Sequence, residues 1–327
     1  MSSRTVLVTG AAGFVGRHLV RALLDAHFRV RAGVHRERDR QSLARLGDVE
    51  PVTVDVLDAE SIGRAMEGAE HVYHCAALLD ARAPRDLLLE VNEAGTRRVW
   101  ECAAASGVRK ALYCSSTAVY GLLAGRDKGI TEQVRARAIE PYGYSKIRGE
   151  EAALDVAART GLHTTIIRPV AIFGPGERTK FGTLFRDAAL SGFLSAGGFR
   201  EKSFSFVHVE DVAAALIHLA ERDLPGGEIY NVAVEEPIPF EEAFRTYRKV
   251  LRAAGRPYAK ARWLAGMSAF LHRHPAALKR ISALVGDRRV FRIWRPGFDL
   301  TYSPAKLLRT SFRFEWEQFE RVFASCL

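Results

Sequence analysis

The feature that most constrains the fold is a glycine-rich stretch near the start of the chain, residues 9–16 (TGAAGFVG). It follows an apolar run and leads into a helical pattern, so the predicted order is strand, glycine turn, helix. Gly10 would permit the tight turn, Gly13 would let a pyrophosphate approach the helix N-terminus, and Gly16 would let helix and strand pack closely. A lone glycine pattern is weak evidence, but this context predicts dinucleotide binding rather than an ordinary turn.

Strand and helix patterns alternate through the first half of the chain. Predicted strands are 5–9, 28–34, 51–55, 70–75, 108–115 and 163–168, and predicted helices are 14–26, 59–66, 84–105 and 142–160. This alternation predicts an α/β fold, a Rossmann-type doubly wound parallel sheet whose ligands lie beyond the carboxyl ends of the strands.

The length of 327 residues is near the upper limit for one core. We therefore expect a dinucleotide-binding domain over 1–168 and a smaller, mixed α/β, mainly substrate-binding domain over 169–327. Part of the second segment, about 203–234, is expected to return to the first domain.

The composition favours a cytoplasmic protein. The four cysteines, Cys75, Cys102, Cys114 and Cys326, show no metal-like spacing, so we interpret them as free thiols in a reducing compartment and predict no metal site. The N-terminus lacks a signal-peptide pattern, and no apolar run approaches the ~20 residues that span a bilayer.

The net charge of +10 is concentrated in one segment, 245–295, which holds fourteen basic residues and a single acid, Asp287. Within it, 257–286 has the spacing of an amphipathic helix broken near Pro275. Three interpretations stay open: a helix pair packed over the substrate pocket, peripheral contact with a membrane, or docking of an acidic carrier such as a phosphopantetheine-bearing protein or coenzyme A. Nucleic acid is not expected, because no recognised binding motif accompanies the charge.

The end of the second strand bears on the choice of cofactor. An acid that binds the ribose 2′-hydroxyl of NAD usually lies ~20 residues past the glycines, and here that position is about Val34. Basic residues surround it, and Arg31, His35 and Arg36 would attract a 2′-phosphate. The charge therefore favours NADP(H) and allows NAD(H), while a solvated basic loop remains an alternative.

The third and fourth strands end in further candidate cofactor contacts. Asp55, followed by Val56, could accept a hydrogen bond from the adenine amino group. Ala76 and Ala77 are small enough for a cofactor to cross the strand edge. Ordinary strand-end chemistry would give the same residues.

A tyrosine and a lysine four residues apart form the candidate catalytic pair. Tyr142 and Lys146 would lie on one face of a helix. An ammonium beside the phenol would lower the tyrosine pKa from its ordinary value near ~10, and the positive charge of an oxidised nicotinamide would add to this, which would suit a general acid or base. The alternative is a helix start with a surface lysine.

Together these residues resemble the extended short-chain dehydrogenase/reductase family, within the NAD-dependent epimerase/dehydratase superfamily. The resemblance covers almost the whole chain. The matches are the TGxxGxxG turn at 9–16, Asp55-Val56, Ala76-Ala77, 91–96 (VNEAGT), Ser116, Tyr142-x-x-x-Lys146, Arg168-Pro169, 173–176 (FGPG) and 207–213 (VHVEDVA).

The resemblance implies roles for the matched positions. Ser116 would hold the substrate carbonyl, with Thr117 as the second choice, Tyr142 would transfer the proton, and Lys146 would bind the nicotinamide ribose and tune Tyr142. Asn92 looks structural or cofactor-adjacent. The positions assigned to the cofactor are Gly10, Gly13, Phe14, Val15, Gly16, Arg31, His35, Arg36, Asp55, Val56, Ala76, Ala77, Ser115, Tyr142, Lys146 and Pro169. The family also implies a homodimer formed through the helices at 84–105 and 142–160.

Motifs of the neighbouring branches are partly missing. Sugar-nucleotide dehydratases carry Asp-Glu where this chain has Thr117-Ala118, and the epimerases commonly carry Asn where it has Ala171 and Arg-Asp where it has Phe204-Ser205. The stretch 295–297 (RPG) keeps some likeness to an epimerase arginine motif.

The closest likeness is to the 3β-hydroxysteroid dehydrogenase-like and dihydroflavonol reductase-like branch, through 227–232 (GEIYNV), 236–240 (EPIPF) and 30–32 (VRA). This implies an NAD(P)-dependent oxidoreductase that interconverts a ketone and a secondary alcohol on a small, apolar or lipid-like substrate. The alternatives are a sugar-nucleotide 4-epimerase and, among non-enzymes, an NAD(P)-sensing regulator. Candidates for the apolar pocket are Phe181, Leu184, Phe185, Phe193, Leu194, Phe199 and Phe204. The alternative is that most of them are core residues of the smaller domain, which is the commoner place for any single one.

Overall fold

The computed structural model describes residues 4–80, 83–121, 129–177, 182, 185, 202–255 and 299–327. Several sequence interpretations lie outside these residues. They are the amphipathic helix over 257–286, most of the basic segment 245–295, the RPG motif at 295–297, and the pocket candidates Phe181, Leu184, Phe193, Leu194 and Phe199.

A seven-stranded parallel sheet forms the centre of the fold. The described residues contain eleven strands, of which seven form this sheet; β7 pairs with β9 and β8 with β11 in two small sheets. In chain order the strands are β1 (Thr5–Thr9), β2 (Arg29–Val34), β3 (Glu50–Thr53), β4 (His71–His74), β5 (Lys110–Cys114), β6 (His163–Pro169), β7 (Ala171–Phe173), β8 (Ser203–Phe204), β9 (Phe206–His208), β10 (Glu228–Val232) and β11 (Ile238–Pro239). The large sheet has the order β10-β6-β5-β4-β1-β2-β3, and every pairing in it is parallel. The strand order reverses beside β1, so a ligand crevice is expected at its carboxyl end.

Helices pack on both faces of this sheet. The helices in the described part of the chain are α1 (Phe14–Asp25), α2 (Glu37–Leu43), α3 (Ala59–Met66), α4 (Arg85–Leu89), α5 (Gly95–Ala105), α6 (Pro141–Thr160), α7 (Val209–Glu221), α8 (Phe240–Ala253), α9 (Ala305–Leu308) and α10 (Phe319–Ser325).

Alternation along β1 divides the core into two layers. Val6 and Val8 pack in the cluster that contains α1 and α7, whereas Leu7 packs in the cluster that contains α3, α5 and α6. Successive side chains of a strand point to opposite faces, so a wholly apolar strand is buried on both. This confirms the predicted doubly wound α/β fold.

The predicted helix 84–105 is interrupted. It contains α4, one π-helical turn at Glu90–Ala94, and α5. Asn92 lies in the π turn and is buried. Periodicity did not predict this turn, and it did not predict α2 either.

The chain returns to the large sheet after its first half. β10 pairs with β6, from Glu228 beside Thr165 to Val232 beside Pro169. Helix α7 shares the apolar layer with α1. Residues 203–234 therefore contain elements of the large sheet's layers, and the domain boundary itself stays a prediction.

Two of the pocket candidates belong to the core. Phe185 and Phe204 are 3% and 1% exposed, with ring centroids 5.7 Å apart. Phe204 also stacks on Phe240 at 4.6 Å. Their proposed role in lining an open pocket is therefore wrong, since aromatic neighbours bury both rings.

None of the four cysteines forms a disulfide. Among the helices of the described segments, none is long and apolar enough to cross a bilayer.

His74, at the end of β4, makes stability depend on pH. Its ring is buried between the hydroxyls of Thr9 and Thr96, at 2.7 and 3.1 Å. Burial lowers the pKa of His74 to about 3. In the unfolded chain this imidazole binds a proton below about pH 6.5, whereas in the folded chain it stays neutral. The free energy of unfolding therefore decreases by about 1.4 kcal/mol for each pH unit below that value.

The test is chemical denaturation at pH 7 and pH 5. Between pH 7 and pH 5 we expect the free energy of unfolding to decrease by about 2 kcal/mol more in the wild-type protein than in His74→Gln, which has no titratable side chain at position 74. Equal losses in the two proteins would contradict a neutral buried imidazole.

Candidate active site

The glycine turn joins β1 to α1 at the carboxyl edge of the sheet. Gly10 has φ +66°, and a Cβ on it would lie 2.6 Å from the backbone nitrogen of Ala76. A Cβ on Gly16 would lie 2.1 Å from the carbonyl oxygen of Gly10. Both positions require glycine. Gly10 requires it for its conformation and for its close contact with the segment after β4, and Gly16 requires it for helix packing.

Gly13 is different, because its side-chain position is exposed and less crowded than those of Gly10 and Gly16. It is exposed, its backbone is extended, and a Cβ there would meet only the Gly10 oxygen, at 3.0 Å. It is the N-cap of α1 and has no capping side chain. The first N–H groups of the helix, with Phe14 and Val15 at its start, are therefore available to an anion.

These geometries separate two substitutions. Gly16→Ala should destabilise the protein by about 1–3 kcal/mol through overpacking, whereas Gly13→Ala should change stability by less than about 1 kcal/mol. Gly13→Ala should instead weaken dinucleotide binding, since its methyl group would occupy the path of the pyrophosphate. Denaturation curves and calorimetric titration measure the two effects, and a Gly13→Ala protein that binds cofactor normally would contradict the assignment.

The basic residues near the end of β2 divide into two groups. Arg31 donates to the carbonyl oxygens of Ala65, at 3.1 Å, and of Glu67. Its guanidinium thereby caps the carboxyl end of α3. Its Nε lies 3.4 Å from the Glu50 carboxylate. Because these contacts engage the guanidinium, the structure does not support the prediction that Arg31 binds a 2′-phosphate.

His35 and Arg36 follow β2 directly and are exposed. His35 Nδ1 lies 3.7 Å from Asp55 Oδ2, and Asp55 Oδ1 accepts from the Leu57 backbone N–H at 2.9 Å. Val56 is buried beside it. The structure thus places the predicted contacts after β2 and β3 at one edge.

Ala76 and Ala77 follow β4 and are half-buried. The Ala76 N–H donates to the Thr9 hydroxyl at 3.3 Å, which holds this segment against the glycine turn.

Tyr142 and Ser116 come together from different elements. Tyr142 lies in the first turn of α6, and the Ser116 hydroxyl is close enough to its phenol to lower the pKa of Tyr142 slightly, against the effect of burial. The Ser116 oxygen also accepts from the Ala118 backbone N–H at 3.1 Å. Thr117 instead donates to the carbonyl oxygen of Pro169 at 3.2 Å, which favours Ser116 as the carbonyl-binding hydroxyl.

The pKa of Tyr142 is raised above its ordinary value because the phenol is buried; the positive charge of Lys146 acts in the opposite direction. The sequence predicted the lowering by lysine but not the larger effect of burial. In the protein alone, the expected net lowering is therefore wrong.

Lys146 lies one turn further along α6 and is 1% exposed. Its Nζ donates to the Cys114 carbonyl oxygen at 2.8 Å and lies 4.3 Å from the centre of the Tyr113 ring. Within the described residues, no carboxylate lies within ion-pair distance of Lys146. A buried ammonium requires further partners, and the hydroxyls of a ribose would satisfy them.

A buried polar network lies behind these residues. Glu150 forms two hydrogen bonds with Arg168, at 2.9 and 2.5 Å, and accepts a third from the Ser115 hydroxyl at 2.5 Å. Arg168 also donates to the Tyr120 oxygen at 2.8 Å, and Tyr120 donates to Asn231 at 2.9 Å. The Ser115 side chain is thus turned into this network, which leaves only its backbone for the predicted cofactor contact.

Sequence reasoning missed Glu150, although a signal was present. Tyr142, Lys146 and Glu150 are spaced by four residues, so all three lie on one face of α6. That face is buried against the strand ends.

Asn92 joins the segment after β4 to α6. Its amide nitrogen donates to Leu78 O at 3.0 Å and Ser145 Oγ at 2.9 Å, and its oxygen accepts from Leu78 N at 2.8 Å. This supports the structural role inferred from the resemblance.

The residues present fit a dinucleotide. The open cradle at Gly13 suits a pyrophosphate, Lys146 offers N–H groups to a ribose, and Tyr142 with Ser116 lies at the same sheet edge. The other positions assigned to the cofactor and to catalysis stay predictions.

Comparison with known proteins places this architecture among nucleotide-dependent enzymes. The family model described as the NAD dependent epimerase/dehydratase family matches residues 6–233. A solved structure titled "Crystal structure of gox2253" superposes with a TM-score of 0.77 at 26% identity, covering 99% of this chain and 97% of that one.

Three curated relatives carry functional names. The sterol demethylase protein B of Methylococcus capsulatus is 35% identical over 71% of this chain and 70% of its own length. A ceramide reductase of Caulobacter vibrioides is 36% identical over 65% and 59%. A 3 beta-hydroxysteroid dehydrogenase/Delta 5→4-isomerase of Mycobacterium tuberculosis is 30% identical over 79% and 71%. The chain also spans 59% of the length of the uncharacterized protein y4nG of Sinorhizobium fredii.

Proposed function

This chain belongs to the NAD-dependent epimerase/dehydratase family, and we propose that it is an NAD(P)-dependent oxidoreductase interconverting a ketone and a secondary alcohol on a lipid-like substrate. The observation that carries the proposal is the meeting of Tyr142, Ser116 and Lys146 at the carboxyl edge of the sheet, beside the open glycine turn.

Each residue has a distinct task in this reaction. Ser116 donates to the substrate oxygen and holds it beside the phenol of Tyr142. Tyr142 gives its proton to that oxygen during reduction and takes it back during oxidation. Lys146 favours the phenolate electrostatically, against the opposing effect of burial. The nicotinamide, when bound, supplies or accepts the hydride.

An apolar substrate is supported by the relatives and by the surface near the site. The names of the three relatives refer to sterols, ceramide and steroids. Among the exposed large apolar side chains are Leu79, in the segment after β4, and Ile139, three residues before Tyr142. Both residues belong to segments that also carry candidate site residues, and exposed apolar side chains there suit a substrate that leaves water on binding.

We further propose a preference for NADP(H), read by His35 and Arg36. Arg36→Ala should weaken NADPH binding by about tenfold or more, since one charge-assisted hydrogen bond contributes about 1.5–3 kcal/mol. NADH binding should be unchanged, because it carries no 2′-phosphate. Arg38→Ala is the matched control, as Arg38 is 73% exposed and follows two residues later. Equal effects of Arg36→Ala on both cofactors would contradict the assignment.

The test of the function is a substrate panel with each cofactor, followed by the absorbance of the reduced nicotinamide. The panel contains 3β-hydroxysteroids, long-chain lipid alcohols and the corresponding ketones, with UDP-hexoses as the comparison class. We expect net oxidation or reduction of the cofactor with an apolar member. Epimerisation of a UDP-hexose without net change in the cofactor would overturn the proposal in favour of an epimerase.

A further inference from the structure

Two cysteines lie side by side at the carboxyl edge of the sheet. Cys75 directly follows β4 and Cys114 ends β5. These strands pair in parallel, and the last paired residues are His74 and Tyr113. Cys75 and Cys114 are the next residue of each strand, so their side chains leave the sheet on the same face at neighbouring-strand spacing, about 5 Å.

The two thiols are close enough to shift each other's pKa in opposite directions. A hydrogen bond joins them and, with the nearby Lys146 ammonium, lowers the pKa of Cys114 in spite of burial. The same hydrogen bond and burial raise the pKa of Cys75. The lowered pKa favours Cys114 as the thiol that reacts first, since the thiolate is the nucleophile.

The position of the pair connects it to the candidate active site. The carbonyl oxygen of Cys114 holds Lys146, and Cys75 is followed by Ala76, which approaches the glycine turn. Each cysteine keeps part of its surface exposed. A dinucleotide that crosses this edge would cover both.

We propose that Cys75 and Cys114 form a redox-sensitive dithiol, which hydrogen peroxide converts to a disulfide and which a bound dinucleotide shields. The Cys114 thiolate attacks one peroxide oxygen, the O–O bond breaks, and a sulfenic acid and hydroxide form. Cys75 sulfur then attacks the sulfenic sulfur, the S–O bond breaks, and the thiol proton leaves with the hydroxyl group as water. The two thiols lose two electrons, and the peroxide is reduced to water.

The other two cysteines provide internal controls. Cys102 donates to the Ala59 carbonyl oxygen at 3.5 Å, and Cys326 donates to the Val322 carbonyl oxygen at 3.3 Å. They lie on α5 and after α10, away from the strand ends. The double variant Cys102→Ser with Cys326→Ser should therefore be oxidised like the wild-type protein.

The experiment treats the cofactor-free protein with hydrogen peroxide, then counts thiols after denaturation and maps peptides by mass spectrometry. We expect loss of two of the four thiols, a cross-linked Cys75–Cys114 peptide, and reversal by dithiothreitol. Cys75→Ala and Cys114→Ala, checked for native melting, should each abolish the cross-link. Retention of all four thiols, or separate irreversible oxidation of single cysteines, would overturn the dithiol.

Shielding rests on the proposed function and is measured separately. NADP⁺ at about ten times its calorimetric dissociation constant occupies about nine-tenths of the sites and should slow disulfide formation about tenfold. An unchanged rate with calorimetrically bound cofactor would overturn the shielding. Absence of cofactor binding would contradict both the proposed function and the shielding. The cross-link formed without cofactor tests the dithiol proposal independently of both.

Discussion

Replacement of Tyr142 by phenylalanine should reduce turnover by about 10²–10⁴-fold, the range for loss of a positioned general acid. The phenol oxygen is the group that the Ser116 hydroxyl reaches and that Lys146 influences electrostatically. Removal of this oxygen leaves the glycine turn intact, so cofactor affinity should change little. Steady-state kinetics with the substrate found in the panel, and calorimetric titration, measure the two effects.

Tyr144→Phe is the matched control, two residues further along α6. Tyr144 is 37% exposed, and its ring packs under Arg85 at 4.6 Å. Its hydroxyl has no part in the proposed chemistry, so turnover should be unaffected. Unchanged turnover of Tyr142→Phe would remove Tyr142 from proton transfer.

Truncation of either partner in the buried Glu150–Arg168 pair should destabilise the protein by about 3–5 kcal/mol, because the other charge would remain buried without a partner. The two side chains are 5% and 6% exposed. Glu150→Ala would also leave the Ser115 hydroxyl without its acceptor. Equilibrium denaturation in urea measures the loss.

The control is an exposed ion pair that starts from the same helix. Asp155 on α6 lies 2.5 Å from Arg97, and their side chains are 49% and 37% exposed. Asp155→Ala should cause a much smaller loss of stability, since solvent screens exposed pairs. The double variant Glu150→Leu with Arg168→Leu should lose less stability than the sum of the losses in the two single variants. Additive losses, or equal effects of Glu150→Ala and Asp155→Ala, would contradict a coupled buried pair.

The predicted strands agree with the structure to within two residues because most of them are short apolar runs beside a turn signal. The π turn at Glu90–Ala94 could not be predicted in the same way. The Asn92 side chain in this turn bonds to Leu78 and Ser145, which are distant in the sequence, and local periodicity carries no signal for such contacts. The same limit applies to β10, whose place beside β6 follows from pairing rather than local composition.

The relative positions of site residues could be predicted where they follow from residue spacing on one helix. The ionisation and binding partners of those residues were harder to predict, because they depend on burial and on contacts distant in the sequence. The interval of four residues placed Tyr142 and Lys146 on one face of α6, as found. The charge of Arg31 suggested a phosphate ligand, but the carboxyl end of α3, more than thirty residues away, engages its guanidinium. Likewise, a neighbouring lysine predicted a lower pKa for Tyr142, and burial reverses the net direction.

The most direct test of the account is calorimetric titration of the cofactor-free protein with NADPH and, separately, with NADH. We predict saturable binding of one dinucleotide per chain, tighter for NADPH, and strongly weakened in Gly13→Ala. Gly63→Ala is the control, because a Cβ at Gly63 in α3 would meet no atom within 4 Å. Tighter binding of NADH would contradict the role of His35 and Arg36, and binding of neither dinucleotide would contradict the cofactor site on which the proposed function depends.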